Sequence, residues 1–386
     1  MTAPDADNLR ILHAAYWSTN SCLGLANESA KRNQVMFITS RSGVRYLADD
    51  GWRELFDPRI VLRVEAGLSR KQVLGYPQRI IGLLKGVYRF HPDVMHVQEH
   101  ADSFLNKLLR RIHGVPMVLT VHDPQPHLGV GEKFLRYYAP REKLVQALRR
   151  RADWIIVYAD HVKSQLLRFQ PELSADRVTV IMHGPGDYIR KWVRPEYEER
   201  DGTALLFGVV RGQKGLGVLL DAWPKVTRNC PNARLVVAGT GADLPNHRDR
   251  IITDPTCELM DWRISTEDMA RLFTEASVVV LPYLEATQSG PLAIAIAFGK
   301  PVVASSVGGL PEMVDDNESG LIVPPGDPEA LADALIRALR DKSLREHLSE
   351  GTRKLRDGRL SWETIAHETE EVYRRAIEFH HRRRTG

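Results

Sequence analysis

Residues 204–222 read ALLFGVVRGQKGLGVLLDA. A short apolar run comes first, a turn with several glycines follows, and Val218, Leu219 and Ala222 then return at helical spacing. Strand, turn and helix in this order form the repeating unit of a parallel α/β sheet. The turn carries Arg211 and Lys214 beside a helix start, where backbone amides and the helix dipole favour an anion. Two cations there suit a diphosphate better than a single carboxylate, although a solvated surface loop has the same local pattern.

The same alternation runs along the whole chain. Short apolar runs, typical of strands buried on both faces of a parallel sheet, recur between amphipathic stretches. A polar, charged stretch at 188–203 separates two such halves. We therefore predict an α/β fold of two Rossmann-like doubly wound domains, residues 1–190 and 200–360, followed by a helix-like segment at 361–386. The predicted strands are Leu9–Ala15, Gln34–Thr39, Val94–Gln98, Met117–Val121, Trp154–Tyr158, Val178–Met182, Ala204–Val209, Arg234–Ala238, Ser277–Leu281, Pro301–Ala304 and Gly320–Val323.

Composition narrows the class of protein. The chain has 386 residues, 43% hydrophobic and 26% charged, which excludes collagen-like, disordered and disulfide-scaffold proteins. The three cysteines are far apart and form no C-x-x-C pair, so we expect free thiols in a reducing cytosol. We see no secretory signal and no apolar run of about 18 residues, so we expect a cytoplasmic protein.

Charge is divided unevenly between the halves. Residues 1–190 hold 27 Lys and Arg against 19 Asp and Glu, and the remainder holds 26 against 30. The basic surplus suits an anionic membrane face, with candidate cations at Lys85, Arg89, Lys107, Arg110, Arg111, Arg149, Arg150, Arg151 and 382–384. A solvated helix face explains the same pattern. No helix-turn-helix, zinc-finger or RNP pattern accompanies the charge, so no nucleic-acid partner is expected.

A second polar turn follows the predicted strand Ser277–Leu281. Residues 281–292 read LPYLEATQSGPL and lead into an alanine-rich helix, and Val307-Gly308-Gly309-Leu310-Pro311-Glu312 gives a further glycine-rich turn. Glu285 in such a loop suits sugar hydroxyls, and the amides of Ser289 and Gly290 suit phosphate. Helix capping by Thr287 or Ser289 is the structural alternative.

Several common nucleotide and metal motifs do not fit. No G-x-x-x-x-G-K-[ST] occurs, and G-x-G-x-x-G fails after the first strand, which disfavours a P-loop NTPase and a dinucleotide dehydrogenase. His96 and His100 are four apart but straddle a strand end, so no metal site is predicted.

The two turns, in this order and spacing, resemble the C-terminal domain of retaining GT-B glycosyltransferases of family 4. Residues 180–184 (VIMHG) and 118–123 (VLTVHD) resemble signatures of that family's first domain, and the Trp362 helix resembles its C-terminal helix, which crosses back onto that domain. The resemblance implies a cleft between two domains, a nucleotide diphosphate sugar (UDP- or GDP-linked) as co-substrate, and no metal or other cofactor.

The resemblance also assigns roles residue by residue. Arg211 and Lys214 match the pair that holds the donor diphosphate and stabilises the leaving nucleotide. Glu285 matches the first Glu of the family's Glu-(seven residues)-Glu motif, which contacts the donor sugar, and His122 matches the His beside the transferred sugar. Further donor-binding positions are implied at Gly208, Gln288, Ser289, Gly290, Pro291, Trp262 and Arg263, the Trp-Arg pair falling where a loop packs on the nucleobase.

Two departures from the family pattern stand out. The second Glu, which binds the ribose in the family, is replaced by Ala293 when seven residues are counted, or by Ile294 when the segment is aligned from Gly299. The loop after the first strand has no Gly-Gly pair and points to an unusual acceptor side, with candidates Trp17, Ser18, Thr19, Asn20 and His100.

The predicted function is therefore retaining transfer of a hexose to an acceptor hydroxyl in polysaccharide, glycolipid or glycoconjugate biosynthesis. A glycan, a glycolipid and a small molecule remain open as acceptors, and peripheral contact with the inner membrane face is expected. The alternatives are a non-catalytic GT-B binding or scaffold protein, and another GT-B enzyme such as an epimerase or a phosphorylase.

Overall fold

The computed structural model describes residues 8–16, 18–45, 47–48, 51–65, 76–99, 112, 114–125 and 132–385, without the side chains of 76–80 and 132–141. In these ranges the strands are β1 (Arg10–Ala15), β2 (Gln34–Ser40), β3 (Val61–Glu65), β4 (Val94–Gln98), β5 (Met117–Val121), β6 (Trp154–Val157), β7 (Val178–Val180), β8 (Thr203–Phe207), β9 (Arg234–Ala238), β10 (Cys257–Met260), β11 (Val278–Leu281), β12 (Val302–Ser305) and β13 (Gly320–Val323).

Helices alternate with these strands. They are α1 (Thr19–Ser29), α2 (Arg41–Arg45), α3 (Tyr76–Phe90), α4 (Glu132–Arg151), α5 (Asp160–Phe169), α6 (Leu216–Asn229), α7 (Arg248–Ile252), α8 (Thr266–Glu275), α9 (Gly290–Ala297), α10 (Leu310–Met313), α11 (Pro328–Arg340), α12 (Lys342–Asp357) and α13 (Trp362–Thr385).

Two parallel sheets organise the described residues. The first has the order β3-β2-β1-β4-β5-β6-β7, and the second has the order β10-β9-β8-β11-β12-β13. The central strands β1, β4, β5, β8 and β11 are buried nearly throughout, as expected for sheets covered on both faces. The strand order reverses beside β1 and beside β8, so the loops after these strands and their neighbours open at one edge of each sheet, where ligands bind in this fold. The α/β fold class predicted from the sequence is confirmed.

Two strands were absent from the sequence prediction, and both lie at a sheet edge. β3 reads VLRVE and β10 reads CELM. Both strands are only partly buried, and each contains at least one charged side chain. Neither therefore forms the continuous apolar run from which the other strands were predicted. The eleven predicted strands are all present: four have the predicted bounds, and the ends of the others are shifted by one or two residues.

The C-terminal helix α13 packs on the first sheet. Trp362 lies against Gly24 and Gly184, where a Cβ atom would come within 2.1 and 2.5 Å of its ring, and its Nε1 donates to Asp187 at 3.2 Å. Tyr373, further along α13, is fully buried beside the rings of the first-sheet core. The last helix of the chain therefore belongs to the core built by its first half.

Candidate active site

The glycine-rich turn after β8 is locked to the loop after β11. Gly215 has φ +67°, and a Cβ atom there would lie 1.8 Å from the carbonyl oxygen of Pro282. The Gln213 carbonyl accepts from the Leu284 amide at 2.8 Å and from the Glu285 amide at 3.5 Å. Because the two backbones touch, the turn bearing Arg211 and Lys214 and the loop bearing Glu285 form one unit.

Lys214 lies in this unit with a perturbed charge. Its Nζ sits 3.7 Å from the ring centroid of the buried Tyr283, a cation–π contact. Burial and, to a smaller extent, the nearby Arg211 charge lower the pKa of Lys214, Asp123 opposes both effects, and the resulting pKa is about 8. Arg211 itself is exposed. Two cations held close together at a partly desolvated position favour binding of a multiply charged anion.

The loop 285–290 ends at the N-terminus of α9. The Ser289 hydroxyl accepts from the Leu292 amide at 3.2 Å and lies 3.1 Å from the Tyr283 hydroxyl, so Ser289 does cap the helix. A Cβ atom on Gly290 would meet nothing within 4 Å, which leaves the first turn of α9 accessible. Pro291 follows at the helix start, 3.3 Å from where a Cβ atom on Gly208 would lie. Glu285 is half-buried.

His122, at the carboxyl end of β5, meets this loop from the other domain. Its Nδ1 lies 2.9 Å from Nε2 of Gln288, and its Nε2 lies 2.9 Å from Oε1 of Gln98. The neighbouring Asp123 carboxylate accepts from the Thr287 hydroxyl. The predicted residues His122 and Gln288 therefore lie side by side across the cleft.

A second contact closes the cleft. The Glu312 carboxylate, in α10, accepts from the first two amides of α5, those of Asp160 at 2.7 Å and His161 at 3.0 Å. An anion at a helix N-terminus is stabilised by unpaired amides and by the helix dipole. The turn before Glu312 is fixed to the loop after β11, because a Cβ atom on Gly308 would lie 1.6 Å from the Ala286 carbonyl oxygen. Both segments of the second domain thus contact the first domain directly.

Family models match both halves of the chain. One, described as Glycosyltransferase Family 4, matches residues 18–184, and another, described as Glycosyl transferases group 1, matches residues 201–341. A D-inositol 3-phosphate glycosyltransferase of Nocardioides sp. is 30% identical over 74% of this chain and 68% of the relative. A phosphatidyl-myo-inositol mannosyltransferase of Mycobacterium leprae is 32% identical over 73% of each chain.

The chain belongs to glycosyltransferase family 4. Solved structures support the GT-B fold of this glycosyltransferase. Anabaena HepE in complex with UDP-glucose superposes with a TM-score of 0.68 and 16% identity over 95% of this chain and 98% of the other. A sucrose-phosphate synthase from Thermosynechococcus elongatus gives a TM-score of 0.68 and 18% identity over the same shares.

Apolar residues occupy the positions of this family 4 enzyme that were aligned with the family's second Glu. Ala293 and Ile294, the two positions aligned with the second Glu, are both buried. The Ala293 carbonyl accepts from the Gly186 amide at 2.9 Å, and the Ile294 side chain would lie 2.9 Å from a Cβ atom on Gly186. Both residues thus pack against the segment joining the domains, and neither offers an oxygen acceptor from its side chain to ribose hydroxyls.

The nucleobase candidates lie in the loop after β10. Trp262 is half exposed, and Arg263 donates from Nη2 to the Arg45 carbonyl of the first domain at 2.7 Å. Stacking of this loop on a base remains a prediction, but the loop does bridge to the first domain.

The acceptor-side candidates divide into three groups. Thr19 is fully buried, with its hydroxyl 3.2 Å from the Ala15 carbonyl and 2.7 Å from the Thr39 hydroxyl, so the prediction that it faces an acceptor is wrong. Ser18 is half-buried at the start of α1, and Asn20 is exposed beside the Tyr188 hydroxyl. Trp17 and His100 lie outside the described residues.

The predicted basic face is only partly present. Arg149 is buried and pairs with both carboxylate oxygens of Glu99 at 2.6 and 2.7 Å, so its assignment to a solvent or membrane face is wrong. Its guanidinium also donates to the carbonyls of Asp123 and Pro124, and it thereby supports the loop after β5. Arg150 and the tail 382–384 are exposed, whereas Lys107, Arg110 and Arg111 fall outside the described ranges.

The described residues provide neither a cluster of metal ligands nor a membrane-spanning helix. In the part of the chain that the structure describes, no group of three or more His, Cys, Asp or Glu side chains lies close enough to hold a metal ion. None of the described helices is both long enough and apolar enough to span a bilayer.

Sequence reasoning missed Gln98 and the cross-domain role of Glu312. Gln98 could have been found as the polar residue at the end of the apolar strand β4. Glu312 could have been found because it follows the Gly308-Gly309 turn closely.

Proposed function

We propose that this glycosyltransferase moves a hexosyl group from a nucleotide diphosphate sugar to an acceptor hydroxyl with retention of the anomeric configuration. The observation that carries the proposal is the unit formed by Arg211, Lys214 and the open N-terminus of α9. It supplies two cations and the backbone amide of the exposed Gly290 for a diphosphate beside the cleft-facing His122. These groups gain strength as negative charge develops on the leaving nucleotide.

The roles of the individual residues follow from this arrangement. Lys214, partly desolvated on Tyr283, and the exposed Arg211 bind the diphosphate and stabilise its departure without a metal ion. Glu285 accepts hydrogen bonds from hydroxyls of the donor sugar, and His122 contacts the transferred sugar from the opposite domain. Retention fits a front-face displacement in which the leaving phosphate assists the incoming hydroxyl.

The acceptor belongs to polysaccharide, glycolipid or glycoconjugate biosynthesis. The printed names of relatives support this breadth, since they include a D-inositol 3-phosphate glycosyltransferase, a phosphatidyl-myo-inositol mannosyltransferase and a glycogen synthase. Peripheral membrane contact is supported by α3, which exposes Ile81 and Tyr88 beside Lys85 and Arg89. Cosedimentation with anionic but not zwitterionic vesicles tests this part of the proposal.

A binding panel tests the donor site. We would titrate UDP-, GDP-, ADP- and TDP-sugars, without metal, into the wild type, Arg211→Ala and the control Arg250→Ala, and record affinity by calorimetry. Arg250 is an exposed arginine of the same domain that pairs with Asp221 at 2.7 Å. We expect one nucleotide class to bind the wild type and the control with similar affinity. The affinity of Arg211→Ala for that class should be lower by about tenfold or more. Binding of none of them would favour a non-catalytic GT-B protein.

A further inference from the structure

Gln98 contacts three polar side chains at the end of β4. It is 3% exposed, and its Oε1 lies 2.9 Å from Nε2 of His122 and 3.4 Å from the Tyr158 hydroxyl. Its Nε2 lies 3.5 Å from Nε2 of His96. A buried amide with partners on both ends is fixed in orientation by the hydrogen-bonding character of those partners.

His96 contacts the NH₂ end of the Gln98 amide. Its ring is fully buried, with Nε2 2.7 Å from the Thr120 hydroxyl and Nδ1 2.8 Å from the Tyr373 hydroxyl of α13. Burial lowers the pKa of His96 well below its ordinary value, and neighbouring His13 and His122 lower it further, so the ring is neutral at pH 7. The neutral ring accepts at one nitrogen only. Nε2 faces the NH₂ group of Gln98, which only donates, so Nε2 is the acceptor and Nδ1 donates to Tyr373.

The oxygen of Gln98 consequently points at His122. An amide oxygen only accepts, so the imidazole must donate from Nε2. In the neutral ring the other nitrogen, Nδ1, is then an acceptor, and Nδ1 faces the cleft. There Nδ1 accepts a hydrogen bond from the side-chain NH₂ group of Gln288, in the other domain, at 2.9 Å. Since an NH₂ group only donates, this contact agrees with the Nε2–H tautomer.

We infer that Gln98 is a positioning residue that fixes His122 in the Nε2–H tautomer, so that a hydroxyl donor of the transferred sugar takes the Nδ1 acceptor when it displaces the Gln288 amide. The tautomer follows from the contacts of Gln98 and Gln288 with His122, whereas the sugar as its partner rests on the proposed function. A His122 held this way discriminates for a hydroxyl and against a group that can only accept, because two acceptors cannot pair.

The tautomer is measured without any substrate. We would label the histidines with ¹⁵N, assign His122 by its loss in His122→Ala, and read which ring nitrogen carries the proton at neutral pH. We expect the Nε2–H form in the wild type and a mixture of tautomers in Gln98→Met, which keeps the side-chain volume and removes the acceptor. An Nδ1–H form in the wild type, or an unchanged signal in Gln98→Met, would overturn the inference.

A charge at position 98 gives a second, kinetic test. In Gln98→Glu a carboxylate faces Nε2 and favours the imidazolium, as the nearby Asp123 does, whereas burial opposes the charge and the neutral His96 adds none. Since the cation has no acceptor left, we expect the acid limb of the kcat/KM profile to move up by about one pH unit or more. Gln165→Glu is the matched control, because the half-buried Gln165 also lies beside a histidine, with its Nε2 2.9 Å from Nε2 of His161.

The outcomes separate the two claims. The same Gln98→Glu change made in the His122→Ala background should have little further effect on kcat/KM, which shows that it acts through His122. An Nε2–H tautomer in an enzyme that transfers sugar from none of the nucleotide donors would refute the proposed function alone. Transfer by the wild type with an unmoved acid limb in Gln98→Glu would refute this inference alone.

Discussion

The charge on Lys214 makes nucleotide binding sensitive to pH in a defined direction. Burial and the adjacent Arg211 lower the pKa of Lys214 from 10.5 to about 8. The protonated form binds a diphosphate, so affinity is full below pH 8 and declines as pH rises through that value. At pH 9 about one tenth of the free enzyme carries the charge, since each unit above a pKa lowers the protonated fraction about tenfold.

The assay is the affinity for the nucleotide diphosphate identified by the panel, measured by calorimetry between pH 7 and 9 in two buffers of different ionisation enthalpy. We expect the wild type to lose affinity by close to tenfold over this range if Lys214 dominates the binding. The variant Lys214→Arg should show no such loss, because a guanidinium stays charged throughout. In Arg211→Ala the remaining affinity should decline at higher pH than in the wild type, because a like charge next to Lys214 has been removed.

Two results would refute this reasoning. One is a wild-type affinity that stays constant from pH 7 to 9, which would mean that Lys214 is either fully charged in that range or remote from the diphosphate. The other is an equally steep decline in Lys214→Arg, which would assign the titration to a different group.

Three further changes have defined outcomes. Glu312→Ala removes the acceptor of the first two α5 amides, so we expect a larger radius of gyration in small-angle scattering, with partial rescue by Glu312→Gln; an unchanged radius would contradict a role in closure. Arg149→Met leaves Glu99 buried without its cation and should cost about 3–5 kcal/mol in urea unfolding, whereas the exposed neighbour changed in Arg150→Met should cost about 0–1; equal costs would contradict the buried pair. Gly215→Ala should abolish nucleotide binding in calorimetry because its Cβ would meet a carbonyl 1.8 Å away; retained binding would contradict the locked turn.

The central strands of both sheets could be predicted from the sequence because buried strands consist mostly of apolar residues. The strands with neighbours on both sides are mostly apolar, with polar residues concentrated at their ends, and such runs can be recognised without knowledge of the tertiary structure. The edge strands β3 and β10 have one neighbour each and partly exposed faces. Their charged residues interrupt the apolar pattern, so neither strand was predicted. Strand pairing at an edge depends on where the neighbouring strand lies, which a single sequence does not state.

The site shows the same division. Arg211, Lys214 and Glu285 could be predicted because they lie within two short segments with their own turn chemistry, and the structure joins those segments through Gly215 and Gln213. The contacts of His122 join strands and domains far apart in sequence, so neither Gln98 nor Gln288 could be assigned to it from spacing.

Arg149 illustrates the opposite error. A run of three arginines at a helix end is typical of a solvated face, and Arg150 fits that description. Arg149 instead turns inward to Glu99, which follows β4 some fifty residues earlier. A buried ion pair cannot be told from two surface charges until the fold brings the partners together.

The most direct test of the central claim is the stereochemistry of transfer to water, which requires no knowledge of the acceptor. The wild type would be incubated with the nucleotide sugar that binds in the panel, without metal, and ¹H NMR would follow the first product before mutarotation. We expect release of the nucleotide diphosphate together with a sugar of the donor's own anomeric configuration, and loss of both in Arg211→Ala. An inverted product, a sugar 1-phosphate formed with inorganic phosphate, or an epimerised donor with no nucleotide released would contradict it.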